Sequence, residues 1–224
     1  MSALTPKAKN VVFMADFQTD TRFAACAQVE AYWEAARDGR DMPSRYEVDP
    51  RGMADALSVS FIAETLAPRV AKLRIAGSGL NDLLGMEVRG MPLTSFFSAT
   101  GRPVVSRAIE HALSEPSVQT LYLSAETGIG KPKLEAKLLL LPLKTESGAR
   151  TRLLGVLEPK GMIGRTPRRF DVCRIGERRI TAAAEPSQVT SQQNQFAENP
   201  ATFVARGDIS GARSHLRLVQ SIND

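Results

Sequence analysis

Leu73-Arg74-Ile75-Ala76-Gly77-Ser78-Gly79-Leu80, continuing into Leu83-Leu84-Gly85-Met86-Glu87-Val88-Arg89-Gly90-Met91-Pro92-Leu93, is the stretch that decides the fold. Its first half ends a period-2 run in which Arg69, Ala71, Leu73 and Ile75 alternate with Val70, Lys72 and Arg74, the pattern of a half-buried strand. Its second half cannot continue that strand. Gly77, Gly79, Gly85 and Gly90 break it into structural turns, and Leu80, Leu83 and Leu84 between them suit short helical turns.

Upstream, Val59, Phe61 and Ala63 alternate with Ser60, Ile62 and Glu64, and the break at Ala67-Pro68 joins the two runs as a hairpin. Before it, Asp49-Pro50 opens a helix of about two turns with Met53, Ala54 and Leu57 on one side. Further back, Thr19 or Asp20 caps a helix reaching about Asp38, because Cys26, Val29, Trp33 and Ala36 recur at helical spacing and Gly39 ends it. Downstream, Pro103 starts a helix with the stripe Val104, Val105, Ala108, Ile109, Ala112 and Leu113, closed by Pro116. Three strands follow, at about Val118 to Glu126, Lys133 to Leu143 and Thr151 to Glu158, the last two joined by the turn Glu146-Ser147-Gly148-Ala149. Tight connections imply antiparallel pairing. The expected architecture is an α+β domain with a five-stranded antiparallel sheet and helices on one face.

This order is that of PAS domains, and particular residues resemble a bacterial family of short, single-PAS proteins. Trp33-x-x-x-Arg37, Pro43-x-Arg45 and Asp49-Pro50 look like that family's lead-in, and the Leu73–Leu93 stretch resembles its second strand and glycine-rich turns. The resemblance covers about Gln28 to Lys160. It implies a PAS-like domain over residues 19–161, with residues 1–18 as an N-terminal extension. It also implies a sensory or protein-interaction module, with no single chemistry attached.

Charge separates the remainder. Net charge is +5 over 224 residues, yet from Met162 onward nine arginines face six acids, and Arg165, Arg168, Arg169, Arg174, Arg178 and Arg179 crowd into one short segment. With the polar run Ser187–Gln195 behind it, residues 162–224 read as a basic, mostly disordered tail. Blocks of like charge are usually solvated; an acidic partner or nucleic acid at Arg165, Arg168 and Arg169 is the alternative, nucleic acid being the less favoured.

No uncharged run approaches the ~18 to 20 residues of a membrane span, and the patch Val11–Ala15 is too short for a secretory signal, so a cytoplasmic protein is expected. Cys26 and Cys173 lie far apart, and with only His111 and His215 beside them a zinc site is not expected. Thr127-Gly128-Ile129-Gly130-Lys131-Pro132 has Ala125 and Pro132 where a phosphate loop needs glycine and a hydroxyl residue. His111 sits in the helix that carries the axial ligand in haem-binding PAS proteins, but its spacing puts it on the outward face with Arg107 and Ser114. No cysteine occupies the glycine-rich segment where flavin photochemistry would need one. No catalytic constellation is visible, and no cofactor is expected.

The sequence therefore reads as a non-enzymatic module that signals through protein contacts, with Tyr32, Trp33 and Arg37 on the first helix covering either the core or a second copy in a homodimer. A cofactor-binding sensor holding haem, flavin or a metabolite, and binding of an acidic partner through the arginines, are the alternatives. A small-molecule ligand in the PAS cup would be the gating signal.

Overall fold

A computed structural model describes residues 22–145 and 147–180. Helix α1 (Ala24–Arg37) leads into 3₁₀ segments at Arg45–Glu47 and Pro50–Val59, then strands β1 (Ser60–Ala67) and β2 (Val70–Ala76). Helix α2 (Ser78–Leu84), a 3₁₀ turn at Leu93–Phe96 and helix α3 (Gly101–Ser114) follow. Strands β3 (Ser117–Ala125), β4 (Glu135–Leu143), β5 (Arg152–Lys160) and β6 (Phe170–Arg179) complete it. The sheet runs β2-β1-β5-β4-β3-β6, every pair antiparallel.

The antiparallel α+β fold is as expected; two of its features are not. The sheet has six strands, because Phe170–Arg179 pairs with β3 along its length. The disordered reading of the basic segment is thus corrected up to residue 180, and the rest of the expected tail lies outside the described residues, as does the N-terminal extension; the expected cap at Thr19 or Asp20 is corrected too, since the first helix begins at Ala24 with Phe23 at the N-cap. β6 escapes pattern reading because it is an edge strand whose solvent side is arginine and glutamate, which is how sheet edges resist further pairing. Phe170 and Val172 anchor it to the core.

Helices also cover both faces of the sheet. On the inner face α2, the 3₁₀ turn and α3 lay Leu80, Leu83, Phe96, Val105 and Ile109 over Leu121, Leu138, Leu140 and Leu157. On the outer face α1 lays Cys26, Val29 and Trp33 over Leu139, Leu141, Leu143 and Val156. β4 is consequently buried on both sides, which is why Leu138–Leu141 is an unbroken apolar run and not an alternating one.

The deciding stretch folds by small steric constraints. Gly85 ends α2 in the left-handed region at φ 71°, donating its N–H to Asn81. Gly77 has an ordinary φ, but a Cβ there would lie 2.1 Å from the Leu57 carbonyl oxygen, so glycine lets the Pro50–Val59 segment close on the end of β2. Gly79 faces the Ser58 carbonyl, and Gly90 turns the chain at φ 85° to hydrogen-bond Leu73. The Pro50 helix is instead two short, more tightly wound 3₁₀ pieces that meet at a non-helical Met53 (φ −132°, ψ 32°).

Candidate functional site

The cup between sheet and inner helices is occupied by the protein itself. Phe61, Leu73, Phe96, Phe97 and Leu138 are fully enclosed, and towards the start of β3 the buried Ser117 and Gln119 are bonded to each other and to the His111 carbonyl. Phe61 and Gly155 are register partners on β1 and β5, and the Phe61 ring fills the space a Gly155 side chain would take, 2.1 Å from a Cβ built at that position. His111 points elsewhere: its ring is more than half exposed and its Nδ1 lies 3.7 Å from Glu177 on β6. It is not positioned to ligate an iron in the cup. Among the described residues, no three His, Cys, Asp or Glu side chains are grouped to hold a metal ion, and no helix is long and apolar enough to cross a membrane.

The first helix faces its own sheet. Trp33 is completely buried and its Nε1–H donates to the Pro142 carbonyl at 3.0 Å, so of the two roles foreseen for it the structure assigns core packing and removes it from the surface. Tyr32 is half-buried: its hydroxyl donates to the Glu47 carbonyl and accepts the Asp49 N–H at 2.6 Å, tying α1 to the segment before β1. The Arg37 guanidinium lies 5.9 Å from the Trp33 ring and pairs with Glu34. Glu34 also meets Arg178 of β6 at 2.7 Å. Partial burial would raise the Glu34 carboxyl, but the hydrogen bonds from Arg37 and Arg178 outweigh it and hold the group below the ordinary carboxylate range.

A polar pair interrupts the outer apolar layer. Lys137 and Glu158 are cross-strand partners on β4 and β5, each 5% exposed. Glu158 accepts the Cys26 N–H at 3.0 Å and an ammonium hydrogen bond from Lys160 at 2.8 Å. Burial and the adjacent Glu158 push the Cys26 thiol far above its usual range, which makes it an inert core residue. Cys173 is free and exposed.

The arginines of the basic segment separate by role. Arg168 is fully buried, and its guanidinium donates to the carbonyls of Ile163, Glu126 and Pro132, the last two at 3.0 and 2.7 Å. It is corrected from a contact residue to an internal fastener. Arg165 and Arg169 are exposed and have no carboxylate partner among the described residues.

A cavity of about 310 Å³ opens on the outer face, between the Pro50–Val59 segment and the β1–β2 edge. Met53, Leu57, Ile62, Ile75 and Leu154 line it, and Arg45 stands at its rim. Sequence reading missed it for a definite reason. Ile62 pairs with Ile75 but Ala63 pairs with Leu73, so Arg74 is an extra residue, and the bulge turns Ile75 away from the inner core to which alternation had assigned it. Ile75 is 53% exposed at the mouth.

A family model described as a PAS domain matches residues 21–158. A solved structure described as "an RNA-binding Light-Oxygen-Voltage Receptor" is similar at 17% identity and a TM-score of 0.36, over 70% of this chain and 37% of that one. The chain thus spans little more than a third of that receptor's length. No curated protein matches.

Proposed function

The chain belongs to the PAS domain family, whose model spans more than half of it, and from that premise we propose that it is a non-enzymatic sensory module acting through protein contacts. The observation that supports this reading is the filled inner cup: Phe61, Leu73, Phe96 and Phe97 are enclosed within it and take the space a captured substrate would need. Signals then leave by surface contact. The surface retained for a homodimer is the solvent side of α1, where Ala27, Ala31 and Ala35 are exposed, Trp33 being turned inward. Light scattering of the full chain at high micromolar concentration tests it. A dimeric mass that Ala31→Glu reduces to monomer supports the reading, as does an absorption spectrum without a visible band; a monomer at every concentration, or a bound chromophore, overturns it.

A second reading rests on Arg165 and Arg169, exposed and without carboxylate partners among the described residues. They suit an acidic partner surface. Such binding falls steeply with salt and is lost in the double variant Arg165→Ala, Arg169→Ala; salt-independent association removes this reading.

A further inference from the structure

Three irregularities converge on the outer cavity and shape it. The Pro50–Val59 segment is two short 3₁₀ pieces meeting at a kink at Met53 (φ −132°, ψ 32°), which breaks the regular packing of a single helix over the sheet. The bulge at Arg74 swings Ile75 to the outer face to form one lip, and Leu57, 40% exposed, forms the other. Gly77 lets the far end of the segment close down, so the space is bounded at that side.

The walls are apolar apart from Ser60, whose hydroxyl is spent on the Ala56 carbonyl, and Arg45. Arg45 is half-buried at the rim, and its guanidinium makes a single long contact of 3.5 Å, from Nη1 to the Val48 carbonyl. No carboxylate among the described residues pairs with it, whereas Arg37, Arg69, Arg74 and Arg178 all have one. The backbone beneath Arg45 is firmly held: its N–H donates to the Lys144 carbonyl, and Ser44 and Glu47 form a reciprocal cap around it. A half-desolvated cation on a held backbone, beside an apolar hollow, is complementary to a molecule with one anionic end and a hydrocarbon body. The volume stands at the small end of ligand sites, about 300–1000 Å³, which admits a single chain or ring and excludes a dinucleotide.

We propose that this cavity binds a small monocarboxylate with an apolar body, the body against Met53, Ile62 and Leu154 and the carboxylate on Arg45. The proposal deepens the sensory reading, and rests on it, by supplying the stimulus. Occupancy reaches α1 along a short path: the Arg45–Glu47 turn is bonded through the Glu47 carbonyl to Tyr32 on that helix.

Calorimetric titration of the full chain with octanoate, and with octan-1-ol as the uncharged control, tests the proposal. Octanoate binds once per chain; Arg45→Gln weakens it by about tenfold or more, the loss expected when a charged hydrogen bond is removed, and leaves octanol unchanged. Ile75→Trp, which fills the mouth from an exposed position, abolishes both while melting like the parent; should it fail to fold, Leu57→Trp on the opposite lip replaces it. No octanoate binding at millimolar concentration overturns the proposal. So does binding untouched by Arg45→Gln and by the tryptophan variant, or octanol binding as tightly as octanoate. These outcomes are independent of the light-scattering mass, so loss of the ligand site and loss of the dimer are told apart.

Discussion

The carboxylate of Glu158, on the fifth strand, accepts the backbone N–H of Cys26 in the first turn of α1, across 132 residues of chain. The helix needs it. Phe23 occupies the N-cap position and offers no side-chain acceptor, so a strand residue supplies the anion that the exposed N–H groups of the first turn attract. The same carboxylate neutralises Lys160 and lies across from Lys137. One side chain therefore closes the helix onto the sheet.

Replacing it with alanine leaves the Cys26 N–H without its acceptor and Lys160 without its carboxylate. Glu158→Ala is expected to cost about 1–3 kcal/mol in urea denaturation, and the loss should appear as faster hydrogen exchange in the first turn of α1. Unchanged exchange there would refute the capping role.

The inner cup yields a paired test. Gly155→Ala drives a Cβ into the enclosed Phe61 ring and is expected to destabilise by about 1–3 kcal/mol as overpacking. Phe61→Leu vacates that space. The double variant should be more stable than the sum of the single losses predicts, a coupling that a double-mutant cycle measures.

Ending the chain at Gly161 removes β6. That takes Phe170 out of the core, uncovers the edge of β3 and breaks the Glu34–Arg178 pair. Phe170→Ala alone is expected to cost about 3–5 kcal/mol, so the truncated chain should melt at least ~10 °C lower and aggregate more readily. A truncation that melts like the full chain would show that β6 is dispensable.

The two thiols should react very differently. Cys173 is exposed and should be labelled within minutes by a thiol-specific disulfide reagent, while Cys26, buried and with its thiol held protonated, should react only as fast as the domain unfolds. Urea should abolish the difference.

Acid sensitivity follows from carboxyls held low by the fold. Hydrogen bonds from Ser98 and Thr100 lower the Asp171 carboxyl, and Arg37 and Arg178 lower that of Glu34 against the opposing effect of burial. A group depressed in the folded state adds stability above its unfolded value and loses it as pH falls through the folded one. The urea midpoint should therefore hold near neutrality and drop between about pH 5 and pH 3. Asp171→Asn should start lower and drop less.

Local pattern carried most of the architecture. Glycine and proline placed the turns, period-2 runs placed β1 and β2, the apolar segments between turns placed β3 to β5, and the stripe Val105, Ala108, Ile109 and Ala112 gave the buried side of α3 and the outward position of His111. What stayed hidden depends on partners distant in sequence. Trp33 looked equally suited to a core and to an interface until Pro142 supplied its acceptor. β6 has too few apolar residues to announce a strand, and Arg168 resembles its neighbours until three carbonyls converge on it. The outer cavity needed the bulge at Arg74, whose single inserted residue no alternation rule foresees.

Arg168 also changes how the electrostatics of this surface are to be counted. Arginines adjacent in the sequence suggest a continuous cationic band, but this one is sequestered, Arg178 is clamped by Glu30 and Glu34, and Arg179 by Glu115. Arg174 lies over the Tyr122 ring, so an incoming polyanion would meet Arg165 and Arg169 within an interrupted set of charges instead of a ribbon, which favours a visitor carrying discrete acidic groups over one with evenly repeated charge.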